Sequence, residues 1–253
     1  MNDTLKTIHN LHSNHGNFSS REVSDEDLET IIKAGVRASN ASGRQSYSII
    51  VVDDKAVMKE YLEYVGSKAL IFYLDFTRLK DTAEYLGHSY ECGGIVDFIT
   101  ASTDTALSAQ SAAIAAASLG IDYLFTNSVH RGDIGKLYEK FKLPQKHCFP
   151  LMALILGYSE SDGSIARGRL DGAGVIHHKE YHRLNNEGLE ELVQEHDKAD
   201  KNMGVVFFKR DSSQTYSRYL DWFYCVWCKP NSEFRKRNKV IIANLLKEIG
   251  FLE

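Results

Sequence analysis

The stretch Ala106–Ala117 constrains the fold more than any other part of the chain. It reads Ala-Leu-Ser-Ala-Gln-Ser-Ala-Ala-Ile-Ala-Ala-Ala and carries no charge. Alanine, leucine and glutamine favour helix, and a helix that is apolar nearly all round belongs in an interior. The wider segment Phe98–Leu119 is therefore expected to be a long buried helix, with Gly120 as its C-terminal stop. Its many Ala and Ser side chains would let neighbouring backbones come close. The apolar runs, Ala112–Ala117 among them, fall far short of the ~20 residues needed to cross a bilayer.

Other elements follow from capping and periodicity. Ser24 reads as an N-cap with Asp27 facing back from the third helical position, and Leu28, Ile31, Ile32 and Gly35 then share one face. Ser48–Val52, Ala69–Leu74, Tyr123–Thr126 and Pro150–Gly157 are strand candidates. A helix is expected over Ile134–Phe141. The order is mixed, which favours an α+β fold over a doubly wound sheet. After Tyr158 the chain changes character. Ser159–Gly174 reads as an extended loop, Asn186–His196 as a helix, Tyr216–Trp227 as an aromatic stretch and Asn231–Ile249 as a basic amphipathic helix that could wrap a partner subunit.

Composition closes off several functions. With 253 residues, 43% hydrophobic and 25% charged, the chain is an ordinary water-soluble globular protein. A net charge of −4 argues against a general nucleic-acid binder. The N-terminus lacks a basic cluster followed by an apolar core, so no secretory signal is expected and the cytoplasm is the default address. Four scattered cysteines do not make a disulfide framework. No G-x-G-x-x-G, P-loop, G-x-S-x-G or H-E-x-x-H occurs, so no catalytic side chain and no metal site is assigned.

Four polar segments are candidates for ligand contact, each with a plainer alternative. His12-Ser13-Asn14-His15-Gly16 offers several donors to one anion, or is a surface turn; zinc held by His9, His12 and His15 is disfavoured, since no carboxylate or thiolate stands at ligand spacing. Ala38–Gln45, with Ser39, Asn40 and Ser42, could bring backbone groups to a ligand or simply connect helix to strand. Thr126-Asn127-Ser128 stands at a strand end, where cofactors are often held, and equally could cap a helix near Asp133. Arg167-Gly168-Arg169 suits phosphate oxygens, or is a solvated loop. Cys225-Val226-Trp227-Cys228 has no second cysteine pair and is read as packing.

Taken in order, these pieces resemble the FMN-dependent nitroreductase family from about Leu11 to Tyr181. That family opens with an Arg-x-Ser-x-Arg-like loop, where this chain has His12-Ser13-Asn14-His15. A Pro/Ser-rich loop ending in Asn-x-Gln is similar to Ala38–Gln45, and the long central helix to the run ending Ala116-Ala117-Ser118-Leu119-Gly120. Leu143-Pro144 and Leu154-Ile155-Leu156-Gly157-Tyr158 match a Leu-x-x-Pro … Leu-Gly-Tyr pattern, and Arg167-Gly168-Arg169 the late basic pair.

The resemblance implies a mostly antiparallel central sheet flanked by helices, a long buried central helix and a C-terminal extension. It divides the chain into a flavin-binding domain, 1–180, and an extension, 181–253, that packs on the partner subunit. It further implies a homodimer that binds FMN between subunits and transfers hydride from NADH or NADPH by a ping-pong cycle to nitroaromatics, quinones or similar small acceptors. His12, Ser13, Arg167 and Arg169 would hold the phosphate. Ser39, Asn40 and Gln45 would lie along the flavin, and Thr126, Asn127 and Ser128 near its reactive edge. His15 would stand near the flavin pyrimidine, where its support for the reduced flavin would fade above its pKa of ~6.5. A flavin store or sensor without turnover is the alternative.

Overall fold

The structure, a computed structural model, describes residues 1–14, 16–160, 169–170, 172, 174–198, 216, 218–228 and 233–253. Its framework is one antiparallel sheet in the order β1-β2-β4-β3, where β1 is Tyr47–Val52, β2 Lys68–Asp75, β3 Asp122–Thr126 and β4 Cys148–Gly157. In β2, every residue from Ala69 to Leu74 is inaccessible to solvent, so layers cover both faces. Ala69, Ile71 and Tyr73 point into one apolar cluster, Leu70 and Phe72 into another, as the two-residue period of a strand requires. β4 begins two residues before Pro150. The register slips there, between Phe72 and Tyr73 of the neighbouring strand, because a proline inside a sheet cannot donate to the ladder.

One face is covered by a short helix, α3 (Lys55–Val57), which continues into a π turn (Met58–Leu62), and by the helix Ile134–Phe141. Two long helices cover the other. The first, Asp25–Val36, starts as expected: the Ser24 side chain accepts from the Asp27 N–H. The second, Gly94–Ser118, is the alanine-rich helix, beginning four residues before the expected Phe98. We number these helices in chain order: α1 is Asp3–His9, α2 Asp25–Val36, α4 Thr77–Tyr85, α5 Gly94–Ser118 and α6 Ile134–Phe141. Helices α1 and α4 were not foreseen from the sequence. Small residues do bring α2 and α5 together: a Cβ on Gly35 would stand 3.3 Å from the Ser108 carbonyl oxygen and 3.4 Å from the Ala112 Cβ.

The expectation that α5 is enclosed on all sides needs correction. Ala101, Thr105, Ala109, Ala112 and Ala116 face the core, but Ile95, Val96, Ile99 and Leu107 are 51%, 73%, 59% and 43% exposed in the single chain. An apolar stripe reads the same in sequence whether its own chain or another covers it.

The residues fall into two compact units, Met1–Ser164 with Phe234–Glu253, and Ile165–Glu233. In the second, α7 (Asn186–Asp197) is capped by Asn185, and α8 (Tyr219–Trp222) leads into a π turn, Phe223–Trp227. Cys225 is exposed and Cys228 half-buried, both free thiols. The last helix, α9 (Glu233–Glu248), belongs almost wholly to the first unit. Leu246, Ile249 and Phe251 pack there with Leu74, Phe76 and Phe149. Among the described residues no helix is long and apolar enough to cross a membrane.

Candidate functional site

The loop after Leu11 is strapped to one end of the sheet. The backbone N–H of buried Asn14 donates to the Tyr123 carbonyl at 2.8 Å, and its side chain exchanges hydrogen bonds with the Asn17 backbone. Gly16 makes the turn at φ +86°, with its N–H 2.9 Å from the Asn14 carbonyl oxygen. Ser19 N–H then donates to Tyr158 O and Glu160 N–H to Asn17 O, tying the loop to the end of β4. His12 is engaged on both sides, with Nδ1 2.9 Å from the Asn10 carbonyl oxygen and Nε2 3.3 Å from Asp122 Oδ1. The other Asp122 oxygen accepts from Ser159 N–H at 2.7 Å. His12 and Lys6 help to line a 360 Å³ cavity that Ala117 of α5 also borders. Ser13 is half-buried beside it. His15 and Arg167 lie outside the described residues, and Arg169 is exposed in the second unit.

The loop after α2 is built differently. Ser42 and Gln45 hold φ of +55° and +51°, a left-handed conformation that costs a non-glycine residue about 1–2 kcal/mol. Several bonds hold it there. The Asn40 Oδ1 accepts from Gln45 N–H at 3.1 Å, while its Nδ2 donates to Ala38 O. Asp104 of α5 accepts from Ala41 N–H at 2.9 Å. Arg78 of α4 donates through Nη2 to the carbonyl oxygens of Arg44 and Gln45, at 2.9 and 2.7 Å. Asn40 is thus a brace within the loop. Ser39 is exposed, and the Gln45 amide nitrogen makes only long contacts, 3.5 Å to Val36 O and 3.4 Å to the Tyr47 hydroxyl.

Thr126-Asn127-Ser128 forms a third, self-contained segment. Thr126 Oγ1 accepts from Ser128 N–H at 3.1 Å, and a 3-10 turn follows over Ser128–His130. Asp133 then caps α6 by accepting from Gly135 and Lys136 N–H. Thr126 and Ser128 are buried and Asn127 exposed. Ser128 borders a 220 Å³ cavity with Glu60, Glu63 and Lys136, on the side of the sheet opposite α5. His130 stacks on Phe149 and donates from Nε2 to the Pro150 carbonyl oxygen at 2.6 Å, and burial holds its pKa below the ordinary 6.5.

The structure keeps these groups apart within one chain. Tyr47, just after the Gln45 loop, is level with Leu74 and Phe149, whereas Asp122 is level with Gly157 at the other end of β4. Eight residues of strand separate those levels, about 26 Å at ~3.3 Å per residue. Helix α5 runs between them: Asp104 bonds to the Gln45 loop and Ala117 borders the His12 cavity. Two residues that shape the site were missed in the sequence. Asp104 was the better signalled, as a carboxylate in the interior of a helix made mostly of small and apolar residues. Arg78 gave no signal, since its partners are 33 and 34 residues earlier.

Chemically, the site is a donor-bearing loop beside open apolar helix surface. The buried thiol nearby, Cys148, is pushed up by burial and by Asp75 and so stays protonated. Among the described residues no group of three or more His, Cys, Asp or Glu side chains gathers to hold a metal. Comparison with known proteins agrees with the fold. Residues 12–158 match the sequence profile of the nitroreductase family. An FMN reductase (NAD(P)H) of Bacillus subtilis (strain 168) is 29% identical over 242 residues, covering 88% of this chain and 93% of that one. An NADPH-dependent oxidoreductase of Staphylococcus aureus (strain MRSA252) is 27% identical over 231 residues, covering 87% and 84%. The structure of B. megaterium NfrA2 superposes with a TM-score of 0.80 at 26% identity, over 100% of this chain and 99% of that one. With more than half of its length matched by the family profile, this chain belongs to the nitroreductase family.

Proposed function

We propose that this chain, as an NAD(P)H-dependent flavin oxidoreductase of the nitroreductase family, binds FMN and reduces nitroaromatics, quinones or similar small acceptors. Its relatives, an FMN reductase and an NADPH-dependent oxidoreductase, support the flavin and the reductant. The residues present suit that cofactor. A flavin ring has apolar faces and a polar rim, and the loop with Ser39 and Gln45 lies beside exposed Val36 and the open stripe of α5.

One observation carries the further reading that two chains make each site. The Ser39–Gln45 loop, bonded to Asp104 near the middle of α5, and the His12–Ser13 loop, beside Ala117 at its C-terminal end, stand about 26 Å apart along the sheet, and the outer side of α5 exposes Ile95, Val96, Ile99 and Leu107. An isologous dimer that packs two α5 helices antiparallel covers that side. It also brings the Gln45 loop of one chain to the His12 loop of the other. Ser13 would then face the phosphate, Ser39 and Gln45 of the second chain would border the ring, and Thr126–Ser128 would lie toward the acceptor. FMN, when bound, supplies the two-electron chemistry, and the protein supplies position and exclusion of water. NAD(P)H and the acceptor use the open side of the site in turn. Neither step requires a nucleophile or base from the chain.

The test is to purify the protein, supply FMN, and record absorbance while NADH or NADPH is added without oxygen. The reading predicts a bound flavin band that bleaches within the mixing experiment and returns when a quinone or nitroaromatic is added. A protein that takes up no FMN ends it, and one that holds FMN without bleaching is a flavin store.

A further inference from the structure

The Gln45 loop is held in a conformation that its own residues do not favour, and the groups that hold it come from elsewhere in the chain. Neither Ser42 nor Gln45 is a glycine, yet both are left-handed. Arg44, at φ −67°, followed by left-handed Gln45 turns two successive carbonyl oxygens to one side and the intervening N–H groups to the other. The Asn40 side chain takes the N–H side, accepting from Gln45. A single guanidinium nitrogen of Arg78 takes the carbonyl side, at 2.9 and 2.7 Å.

The start of α4, which carries Arg78, is anchored to the sheet. Asp75 ends β2, where its Oδ1 accepts from Thr77 N–H at 2.9 Å to begin α4, and its Oδ2 accepts from the Ser48 hydroxyl at 2.6 Å. The Asp75 N–H also donates to Ser46 O, directly after Gln45. The turn that carries Arg78 and the loop it clamps are therefore fixed to the same strand ends. On the far side of the loop, Asp104 bonds to Ala41, and its Oδ2 is buried without a partner. The open space beside Gly43, where an added Cβ would meet nothing within 4 Å, leaves room for a ligand against this rigid edge.

We propose that Arg78 is a positioning residue for the flavin-facing loop: by gripping the Arg44 and Gln45 carbonyl oxygens from α4 it fixes, with Asp104, the left-handed turn that presents Ser39 and Gln45. This rests on the flavin reading above. Lysine is only a partial substitute, because an ammonium on a flexible stem can reach the two carbonyls but without the fixed geometry of a planar guanidinium.

Arg44 places a trypsin site inside the loop, so its order can be read without any cofactor. In the flavin-free dimer, Arg78→Gln is expected to be cut after Arg44 at least fivefold faster than wild type, with Arg78→Lys between the two. FMN affinity, measured by fluorescence quenching, should fall about tenfold in Arg78→Gln, because small misplacements of a binding group are amplified at a preorganised site. Thermal unfolding of both variants checks that the fold persists, and Arg78→Lys decides if Arg78→Gln fails to fold. Equal cleavage and equal FMN affinity overturn the proposal while leaving the flavin reading intact. Faster cleavage with unchanged affinity also overturns it, leaving a clamp with no part in binding. Wild-type protein with no FMN affinity removes the flavin reading itself, and the positioning role with it.

Discussion

Two loops at the rim of this sheet reach order by opposite routes. The backbone of the loop 126–133 is shaped mainly by its own neighbours, although His130 and Arg131 also reach Pro150 and Glu63: Thr126 accepts from Ser128 N–H, Arg131 N–H donates to Ser128 O, and Asp133 caps the helix it precedes. The loop 38–45, besides its internal brace Asn40, is held from a distance by Arg78 and by Asp104, which stands 63 residues beyond Ala41. A locally bonded loop keeps its shape when the surroundings change. A loop clamped from two helices has its shape set by the packing of the whole domain, which suits a surface proposed to meet both a ligand and a second chain.

The widest contrast should come from removing one anchor of each loop. Asp104→Ala leaves the Ala41 N–H unpaired, and we expect a loss of about 1–3 kcal/mol in urea unfolding together with weaker FMN binding. Asp104→Asn, which keeps an acceptor for that N–H, should restore most of both. Asp133→Ala should cost about 1 kcal/mol, the usual value of an N-cap, and leave FMN affinity unchanged. If Asp133→Ala weakens FMN binding as much as Asp104→Ala does, the distinction between the loops fails.

A smaller effect should appear with pH, carried on the local loop by His130. Burial depresses the His130 pKa, so at pH values between its folded and ordinary values the unfolded chain binds a proton that the folded one does not. The stability from neutral His130 is therefore present above about pH 6.5 and is lost as pH falls through the depressed value. His147, also held low by burial, works in the same direction. Urea midpoints at pH 7.5 and 5.5 should accordingly fall less for His130→Gln than for wild type. Identical falls would show that His130 has no share.

The same contrast explains what could be read from the sequence. Capping by Ser24, the cap at Asp133 and the four strands were legible because short-range chemistry sets them. The alanine-rich helix was legible as a helix, but its open side was not, since Ile95, Val96 and Ile99 are equally apolar whether they face a core or another chain. The site was legible as a set of polar segments in a familiar order. Its arrangement was not. Asn40 is a brace, His12 is already bonded to Asp122 and Asn10, and Arg78 enters from a helix that no local pattern announced.

Whether two chains build one site can be settled by complementation. Ser13→Trp should block one loop and Ser39→Trp the other, so each homodimer should lose FMN binding and turnover. In a heterodimer of the two variants, one of the two junctions receives both intact loops. Random mixing during co-expression should thus return about a quarter of wild-type turnover, since half the dimers are mixed and each holds one good site. No recovery in verified heterodimers would place the whole site within a single chain and contradict the account.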